Sequence, residues 1–493
     1  MNEDNYMDVN KVPISYIKDY KFELPPDILF IIKTLEDANY EAYVVGGAVR
    51  DLLLGLTPKD YDFATNATPQ QVKKLFKHTI DTGIKHGTVT INLNNVNYEI
   101  TTYREDEDYE DHRHPKHIKY STDIRDDLKR RDFTINAIAY NPSKGCVDPF
   151  DGIKDIENHV LRCVGYPYKR FQEDALRILR LVRFTMTLPT YNEFGDDSHL
   201  HEWNVDSATL NCANNYRYLL RSISKERITD ELRKMFTNVD KHIDMRNIFA
   251  YYKNIFATII PQIYELENKR VFYYDIMKTN SCLETSLVIL NFIINYKDIL
   301  NIEHMFELCM SSFFLLLNNL YSSETPNSVI LKEIISNSSC YLRLSKKESQ
   351  CIYDICDYYN RYFSCDGDLL VAINSVKENI CDVLTFAFVR DSAKSGNKYT
   401  QEDINDYYKE LEAVKQVLVA TRGTSTPYCI KQLDINGNDI ITELQGISKK
   451  GVGNMLDDLL KAVMYKSVNN NRKDLIKYAK ELYSQTFFAY KYK

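Results

Sequence analysis

The polarity of this chain changes rhythm part-way along. Between residues 25 and 146 apolar and polar positions alternate, as in Thr88-Val89-Thr90-Ile91-Asn92-Leu93 and, after Asn94-Asn95, Val96-Asn97-Tyr98-Glu99-Ile100. A period of two sends successive side chains to opposite faces and predicts strands, and the Asn-Asn step predicts a hairpin turn between them. From Asp155 onward helical spacing takes over, as in Asp174 to Phe184 and Ser224 to Phe236. The pattern therefore predicts an α+β chain, with an α/β head followed by a long all-α remainder.

Two segments break the pattern: Arg104 to Asp127, crowded with charges of both signs and His, and Pro189 to Asn215, rich in Asp, Asn and His. Both are expected to be exposed loops. Thr421 to Tyr428, with Gly423 and Pro427, reads as a linker before a last helical unit. No internal repeat or low-complexity tract is visible.

With 493 residues the chain exceeds one ordinary core, so two to four packed units are expected. A composition of 44% hydrophobic and 27% charged residues, with 16 Gly and 13 Pro, describes a folded globular chain. The net charge of −7 does not exclude a nucleic-acid partner, because phosphate binding depends on where Lys and Arg cluster. The eleven Cys form no Cys-x-x-Cys pair, which predicts buried, reduced thiols and a cytoplasmic protein without a zinc ribbon. Glu3, Asp4 and Asp8 fit neither a signal nor a transit peptide, and apolar runs such as Leu287 to Ile294 are too short for a bilayer, so no membrane partner is expected.

The chemistry concentrates in the first half. Ala42 to Gly55 reads as strand, Gly46-Gly47 turn and short helix, a geometry that lets backbone approach a triphosphate while Arg50 pairs with one of its oxygens. Many Gly-Gly pairs are merely turns. Asp60 and Asp62 follow, and in a strand their spacing puts both carboxylates on one face, suited to Mg²⁺ in a two-metal phosphoryl transfer. Taken alone, Asp-x-Asp is more often a solvated strand end. Glu99 offers a third carboxylate from the hairpin, or is a surface residue of an amphipathic strand. Arg131, in Asp127-Leu128-Lys129-Arg130-Arg131-Asp132, precedes an apolar stretch expected to be helical; it could reach a phosphate or ribose, or belong to a salt-bridged helix start.

In Glu173 to Phe184, helical spacing places Ala175, Ile178, Leu179 and Val182 on one face and Glu173, Arg177, Arg180 and Arg183 on the other, so three arginines are expected along an exposed flank. A solvated amphipathic helix is the plainer alternative. Asp174 and Arg177 make a chemically specific pair: Asp accepts from an exocyclic amino group while Arg donates to an adjacent ring nitrogen or carbonyl. Cytosine and adenine offer that edge; guanine and uracil do not.

Across roughly residues 25 to 236 these elements resemble class II tRNA nucleotidyltransferases, the CCA-adding enzymes, within the tRNA nucleotidyltransferase/poly(A) polymerase family. Gly46-Gly47-Ala48-Val49-Arg50-Asp51 with Asp60-Tyr61-Asp62 resembles the metal and triphosphate motif, and Arg130-Arg131-Asp132 the ribose-selecting motif. Asp148 to Gly152 resembles the hinge, Glu173-Asp174-x-x-Arg177 the base-templating motif, and Ser224-x-Glu226-Arg227-Ile228 the helical element after it. Residues 82–90 and 98–104 are similar to the CCA-adding branch rather than to bacterial poly(A) polymerases. In this family a charged loop corresponding to Arg104–Asp127 helps the pocket change from CTP to ATP, and Asp111-His112-Arg113-His114-Pro115 retains it. Those His are read as solvated rather than zinc-binding.

The resemblance implies a polymerase β-like head (25–146) after an N-terminal extension (1–24), then a helical neck (147–236), body (237–420) and tail (421–493). It implies that Asp60 and Asp62 hold Mg²⁺, with Glu99 assisting catalysis, and that Gly46, Gly47, Arg50, Arg131, Asp132, Glu173, Asp174, Arg177, Arg180 and Arg183 form the nucleotide site. The expected substrates are the tRNA 3′ end, CTP and ATP, with no obligate protein partner evident. A poly(A) polymerase, an A-adding enzyme and a non-catalytic RNA-binding protein are the alternatives. Residues 435–453 resemble the tail, where Lys461, Lys466, Arg472, Lys473, Lys477 and Lys480 offer a basic surface or ordinary solvated charge. Residues 189–215 fit the family pattern poorly, and 240–420 carry no recognisable motif.

Overall fold

The computed structural model describes residues 14–109, 115–192, 200–262, 282–321, 335, 342–362, 379–395, 400–409, 411–412, 430, 433–444, 446–464 and 467–485. They fall into two compact units, one of residues 1–264 with 341–343 and one of 265–340 with 344–493.

The first unit is built on α1 (Pro26–Asp37), β1 (Ala42–Val45), α2 (Gly47–Leu53), β2 (Asp62–Thr65), α3 (Pro69–Leu75), β3 (Thr79–Gly83), β4 (Thr88–Leu93) and β5 (Val96–Thr102). It continues through β6 (Arg104–Tyr109), β7 (Pro115–Tyr120), α4 (Ile124–Lys129), β8 (Ala139–Asn141) and β9 (Gly145–Val147). Seven strands form one mixed sheet in the order β3-β4-β5-β2-β1-β8-β9. The Ala-Tyr-Val-Val run of β1 is buried throughout, as a strand covered on both faces requires. Asn94 and Asn95 take φ of 52° and 65°, the left-handed pair that turns a two-residue hairpin, so β4 and β5 form as the alternation predicts.

Register decides what gathers at one edge of this sheet. Val45, the last residue of β1, faces Asp62, the first of β2, and Asp62 faces Glu99 on β5. Val45 also faces Ala139, and Gly46 N donates to Ile138 O at 3.2 Å. The glycine turn, the first carboxylate of β2 and the segment before β8 therefore meet.

Three sequence expectations change here. Arg104–Asp127 is not an irregular loop: β6 and β7 pair antiparallel, with Glu105 opposite Lys119 and Glu107 opposite His117, and α4 follows. Apolar alternation, by which strands are read, is missing from this charged sequence, and Glu105 and Lys119 face each other with opposite charge; positions 110–114 lie outside the described residues. The stretch after Arg131 is a 3₁₀ turn (Thr134–Asn136) leading into β8, not a helix. Within Pro189–Asn215 the structure places short strands β11 (Tyr191–Asn192), β12 (Leu200–His201) and β13 (Asn204–Val205), then α8 (Ser207–Tyr216), whose cap is Asp206 accepting from Thr209 N. Neutral Asn-rich sequence concealed that helix, because Asn is a poor helix former.

Around these pack α5 (Gly152–Glu157), β10 (Val160–Leu161), α6 (Pro167–Glu173), α7 (Leu176–Thr187), α9 (Lys225–Asn238), α10 (Met245–Tyr251) and α11 (Lys253–Ile259), with α7 against α9. Asp148 accepts from Gly152 N and Ile153 N, both at 2.8 Å, and so fastens the start of α5. A Cβ on Gly152 would stand 2.2 Å from Thr134 O, so only glycine lets α5 approach the 3₁₀ turn this closely.

The second unit is helical where described. Cys282–Tyr296, Met305–Tyr321, Lys346–Tyr362 and Ile380–Ser395 pack together, and Gly437–Glu443, Lys449–Met464 and Arg472–Gln485 share a core that includes Ile440, Met455, Leu459 and Leu475. Of the basic tail residues, Arg472 pairs with Asp439 at 2.6 Å and Lys480 with Glu443 at 2.7 Å. Those two charges are thus partly neutralised within the tail itself; Lys466 and the 421–428 segment lie outside the described residues. No described helix is long and apolar enough to cross a membrane, and Cys146, Cys163, Cys212, Cys309, Cys351, Cys356 and Cys381 are free thiols.

Candidate active site

A cleft of about 720 Å³ opens at the sheet edge and runs towards α7 and α9. Its glycine turn depends on backbone shape: Gly46 has φ +73°, and a Cβ there would lie 2.6 Å from Arg131 Nη1. Absence of a side chain is what lets Arg131 come against the turn. Arg131 Nη2 donates to Asp127 at 3.0 Å, while its Nε is buried with no partner, and the residue lines the cleft. Arg50 donates to Asp51 through Nε (2.9 Å) and Nη2 (2.7 Å) and to Asn136 Oδ1 through Nη1 (2.9 Å).

Asp60 stands just before β2 and Asp62 opens it, and both line the cleft. Surrounding protein mass pushes the Asp62 carboxyl up to about 6 even though water reaches it; Arg131 opposes the shift, and Asp60 and Glu99 add to it. Three carboxylates thus act on one place, with Arg131 as the opposing charge. Among the described residues no three His, Cys, Asp or Glu close into a ready-made metal cage. An open, all-oxygen donor set still suits Mg²⁺, which takes one or two carboxylates and completes its shell with water and substrate phosphate. Glu99 stands beside Asp62 in register without lining the cleft.

The other end differs from expectation in a useful way. The helix expected from Asp174 is broken there: α6 ends at Glu173, Asp174 is extended (φ −146°, ψ 102°), and α7 begins at Leu176. The three arginines do not lie along an exposed flank. Arg177, Arg180 and Arg183 line the cleft, with side chains only 11%, 32% and 15% exposed, and each is held by a carboxylate. Arg177 pairs with Glu173 (2.9 Å), Arg180 with Asp132 (2.6 Å) and Arg183 with Glu231 (2.7 Å). Helical periodicity predicts a polar face but cannot say that α9 will cover it.

Asp132 sits at the cleft floor with its carboxylate engaged by Arg180, Asn136 Nδ2 (3.0 Å) and Phe133 N (2.8 Å). Burial alone would raise its pKa, but Arg180, Asn136 and Arg177 together hold it well below the usual range. Asp127 is similar: burial is outweighed by Arg130 and Arg131. Glu173 lies behind Arg177, paired also with Arg170, and outside the cleft lining.

Asp174 does not pair with Arg177. Its Oδ1 accepts from Arg227 Nη1 (3.1 Å) and Leu176 N (3.1 Å), and its Oδ2 from Arg227 Nη2 (2.8 Å). Arg177 spends Nη1 on Arg170 O (3.2 Å) and Glu173 (2.9 Å), and Nη2 on Arg130 O (2.7 Å). Sequence reasoning missed Arg227, Glu231, Lys234, Asn136 and Phe184 as cleft residues. For the first two a signal existed: Arg227 and Glu231 are four apart on one helix, so they share a face, and that face meets the arginine helix. For Phe184 there was none, since an aromatic on an apolar helix reads as core. Its ring lies beneath Arg183, Arg50 and Arg180, at 4.2, 5.2 and 5.4 Å from centroid to guanidinium carbon.

Residues 42–162 match the Poly A polymerase head domain. The chain is 45% identical over 227 residues to the CCA-adding enzyme of Lactobacillus helveticus, covering 46% of this chain and 51% of that one, and 40% identical over 260 residues to that of Lacticaseibacillus paracasei, covering 51% and 61%. At that level it spans only about half to three-fifths of its relatives' length. Similarity to the CCA-adding enzyme of Ligilactobacillus salivarius is lower, 29%, but extends over 94% of this chain and 97% of that protein. Among solved structures the Bacillus stearothermophilus CCA-adding enzyme, determined with CTP, has the same fold, with a TM-score of 0.64 at 24% identity over 94% of this chain and 100% of that one.

Proposed function

We propose that this chain, which is similar to CCA-adding enzymes and carries a Poly A polymerase head domain, completes tRNA by adding C, C and A to the 3′ end from CTP and ATP, releasing pyrophosphate each time. The RNA 3′ oxygen attacks the α-phosphorus; the O3′–Pα bond forms, the bond from Pα to the bridging oxygen breaks, and the hydroxyl proton departs. Asp60 and Asp62 would hold Mg²⁺, whose chemistry is to favour the ionised hydroxyl and shield charge on pyrophosphate. Glu99, in register beside Asp62 but outside the cleft lining, would add negative charge next to that cation site. Arg50 and Arg131, which line the cleft beside the glycine turn, would face the triphosphate end.

One observation carries the choice of bases. A carboxylate has about four acceptor sites, and three on Asp174 are taken, which leaves one on Oδ2. A guanidinium has about five N–H donors, and three on Arg177 are taken, which leaves Nε–H and one on Nη2. One open acceptor beside open donors complements an exocyclic amino group next to ring acceptors, the edge of cytosine and adenine. Guanine and uracil would set carbonyl against carboxylate. Arg227 fixes the plane of Asp174 from behind. The free thiols suit a reducing cytoplasm.

The test is purified protein with tRNA truncated by zero to three nucleotides, each nucleoside triphosphate supplied separately, and products sized. Two additions from CTP on tRNA lacking all three nucleotides, one from ATP on tRNA ending in CC, and none from GTP or UTP are expected. Repeated addition from ATP would instead identify a poly(A) polymerase. Asp174→Ala is expected to loosen this selectivity more than it weakens triphosphate binding.

A further inference from the structure

The segment that fits the family pattern poorly ends in a surface the cleft does not use. From Ser207 to Lys225 there is no acidic residue, in a chain of net charge −7. That stretch forms α8 and a 3₁₀ turn (Arg217–Ser222), and α8 packs on α6. Helix α6 is therefore two-sided: Arg170 and Glu173 belong to the network behind Arg177, whereas Tyr168 and Lys169 turn to α8 and solvent.

On this side three tyrosines follow one another. Tyr168 and Tyr216 lie 4.4 Å apart between ring centroids, and Tyr216 and Tyr218 lie 6.1 Å apart. Tyr218 is 54% exposed. Around them stand Lys169, Arg217 and Arg221, none of which has a carboxylate partner among the described residues. The contrast with the cleft, where the arginines are ion-paired, is informative: these cations are left for a ligand that is itself anionic.

Aromatic rings flanked by cations that have no carboxylate partner among the described residues match a chain that alternates planar bases with phosphates. We infer that the Tyr168–Tyr216–Tyr218 ladder, with Lys169, Arg217 and Arg221, binds the unpaired 3′ nucleotides of the RNA substrate, stacking bases while the cations meet the backbone. The inference rests on the proposed function for its substrate, and it gives the 207–221 segment a role: it holds the RNA end beside the base-reading residues independently of which nucleotide is being added.

The test uses the full chain without nucleotide and fluorescence anisotropy of three RNA minihelices: blunt, with a three-nucleotide 3′ overhang, and with an overhang of abasic sugars. The overhang is expected to tighten binding roughly tenfold or more over the blunt duplex, with only part of the gain kept by the abasic probe. Tyr218→Ser and Tyr168→Leu should erase the base-dependent gain. Arg217→Gln and Arg221→Gln should reduce what the abasic probe retains and flatten the salt dependence by roughly 0.7 per cation. In turnover, KM for tRNA should rise while KM for CTP holds. Tyr218 is exposed, so its variant tests the idea even if Tyr168→Leu folds poorly. An overhang that gains nothing in the parent protein, or a full gain surviving in Tyr218→Ser, overturns the inference. If the parent extends tRNA while overhang binding is insensitive, only the ladder falls. If the gain is present but nothing is extended, the proposed function falls instead.

Discussion

Replacing Phe184 by leucine tests how the cleft holds its positive charge. The ring is buried, lies edge-on to Phe133 at 5.7 Å, and carries three guanidinium groups at 4.2 to 5.4 Å. Each such contact contributes about 0.5–1 kcal/mol where water still reaches it and about 2 kcal/mol where it does not. Leucine keeps apolar bulk and removes the ring's negative face. Asp51, Asp132 and Glu231 would still restrain Arg50, Arg180 and Arg183, so the arginines loosen rather than swing free. A loss of about 1–2 kcal/mol in transition-state binding is expected, roughly a 5- to 30-fold fall in kcat/KM. Under the proposed function these charges serve phosphate rather than base, so CTP and ATP should suffer by one factor. Phe184→Tyr, which keeps the ring, should stay near the parent. The assay is steady-state incorporation of CTP into tRNA lacking its last three nucleotides and of ATP into tRNA ending in CC, with circular dichroism to verify the fold. Parent-like kinetics in Phe184→Leu, or CTP and ATP diverging by more than about threefold, would refute the reasoning.

Three further outcomes follow from the same geometry. Gly46→Ala forces a side chain into φ +73° and against Arg131; a cost of about 1–2 kcal/mol in thermal unfolding is expected, together with a raised KM for both nucleotides. For Asp127, whose folded pKa lies below its ordinary value, stability is present above about pH 4 and lost as pH falls through the folded value. Asp127→Asn should therefore lower stability near neutrality by about 3–5 kcal/mol and show a shallower acid limb in denaturant titrations; an unchanged limb would remove this carboxylate from the account. Asp62, raised to about 6, has the opposite sign: below that value a proton occupies the carboxylate that a cation needs. Mg²⁺ affinity should drop towards tenfold per pH unit below about 6, and Asp62→Asn should abolish nucleotide addition and cation binding without unfolding the chain.

Much of the head was legible because its signals are local. The alternation in 88–100 and the Asn94-Asn95 turn are set by residues next to one another, and so is the strand that delivers Gly46. Partnerships were not. Nothing in 173–184 says that Asp174 will take Arg227 from 53 residues away, or that Arg180 will take Asp132 from 48 away; the arginine stripe was visible, its burial beneath α9 was not. The β6–β7 pair escaped notice because its charged sequence lacks the apolar alternation that marks a strand. Glu99 was found by strand parity, yet only the parallel pairing of β2 with β5 puts it beside Asp62.

The ion pairs of the cleft have a consequence for what the site ignores. Arg50, Arg131, Arg177, Arg180, Arg183 and Arg227 are each already matched to a carboxylate. An arriving anion finds none of these six without a carboxylate and must use the donors left over beside carboxylates already in place. Inorganic phosphate offers fewer contacts to those donors and is expected to compete weakly. Under the proposed function a nucleotide brings a triphosphate and a base edge together, and it is this combination that the site favours. The resting cleft is thus close to self-neutralised, and its own acids act as the competitor that screens out small anions before any base is read.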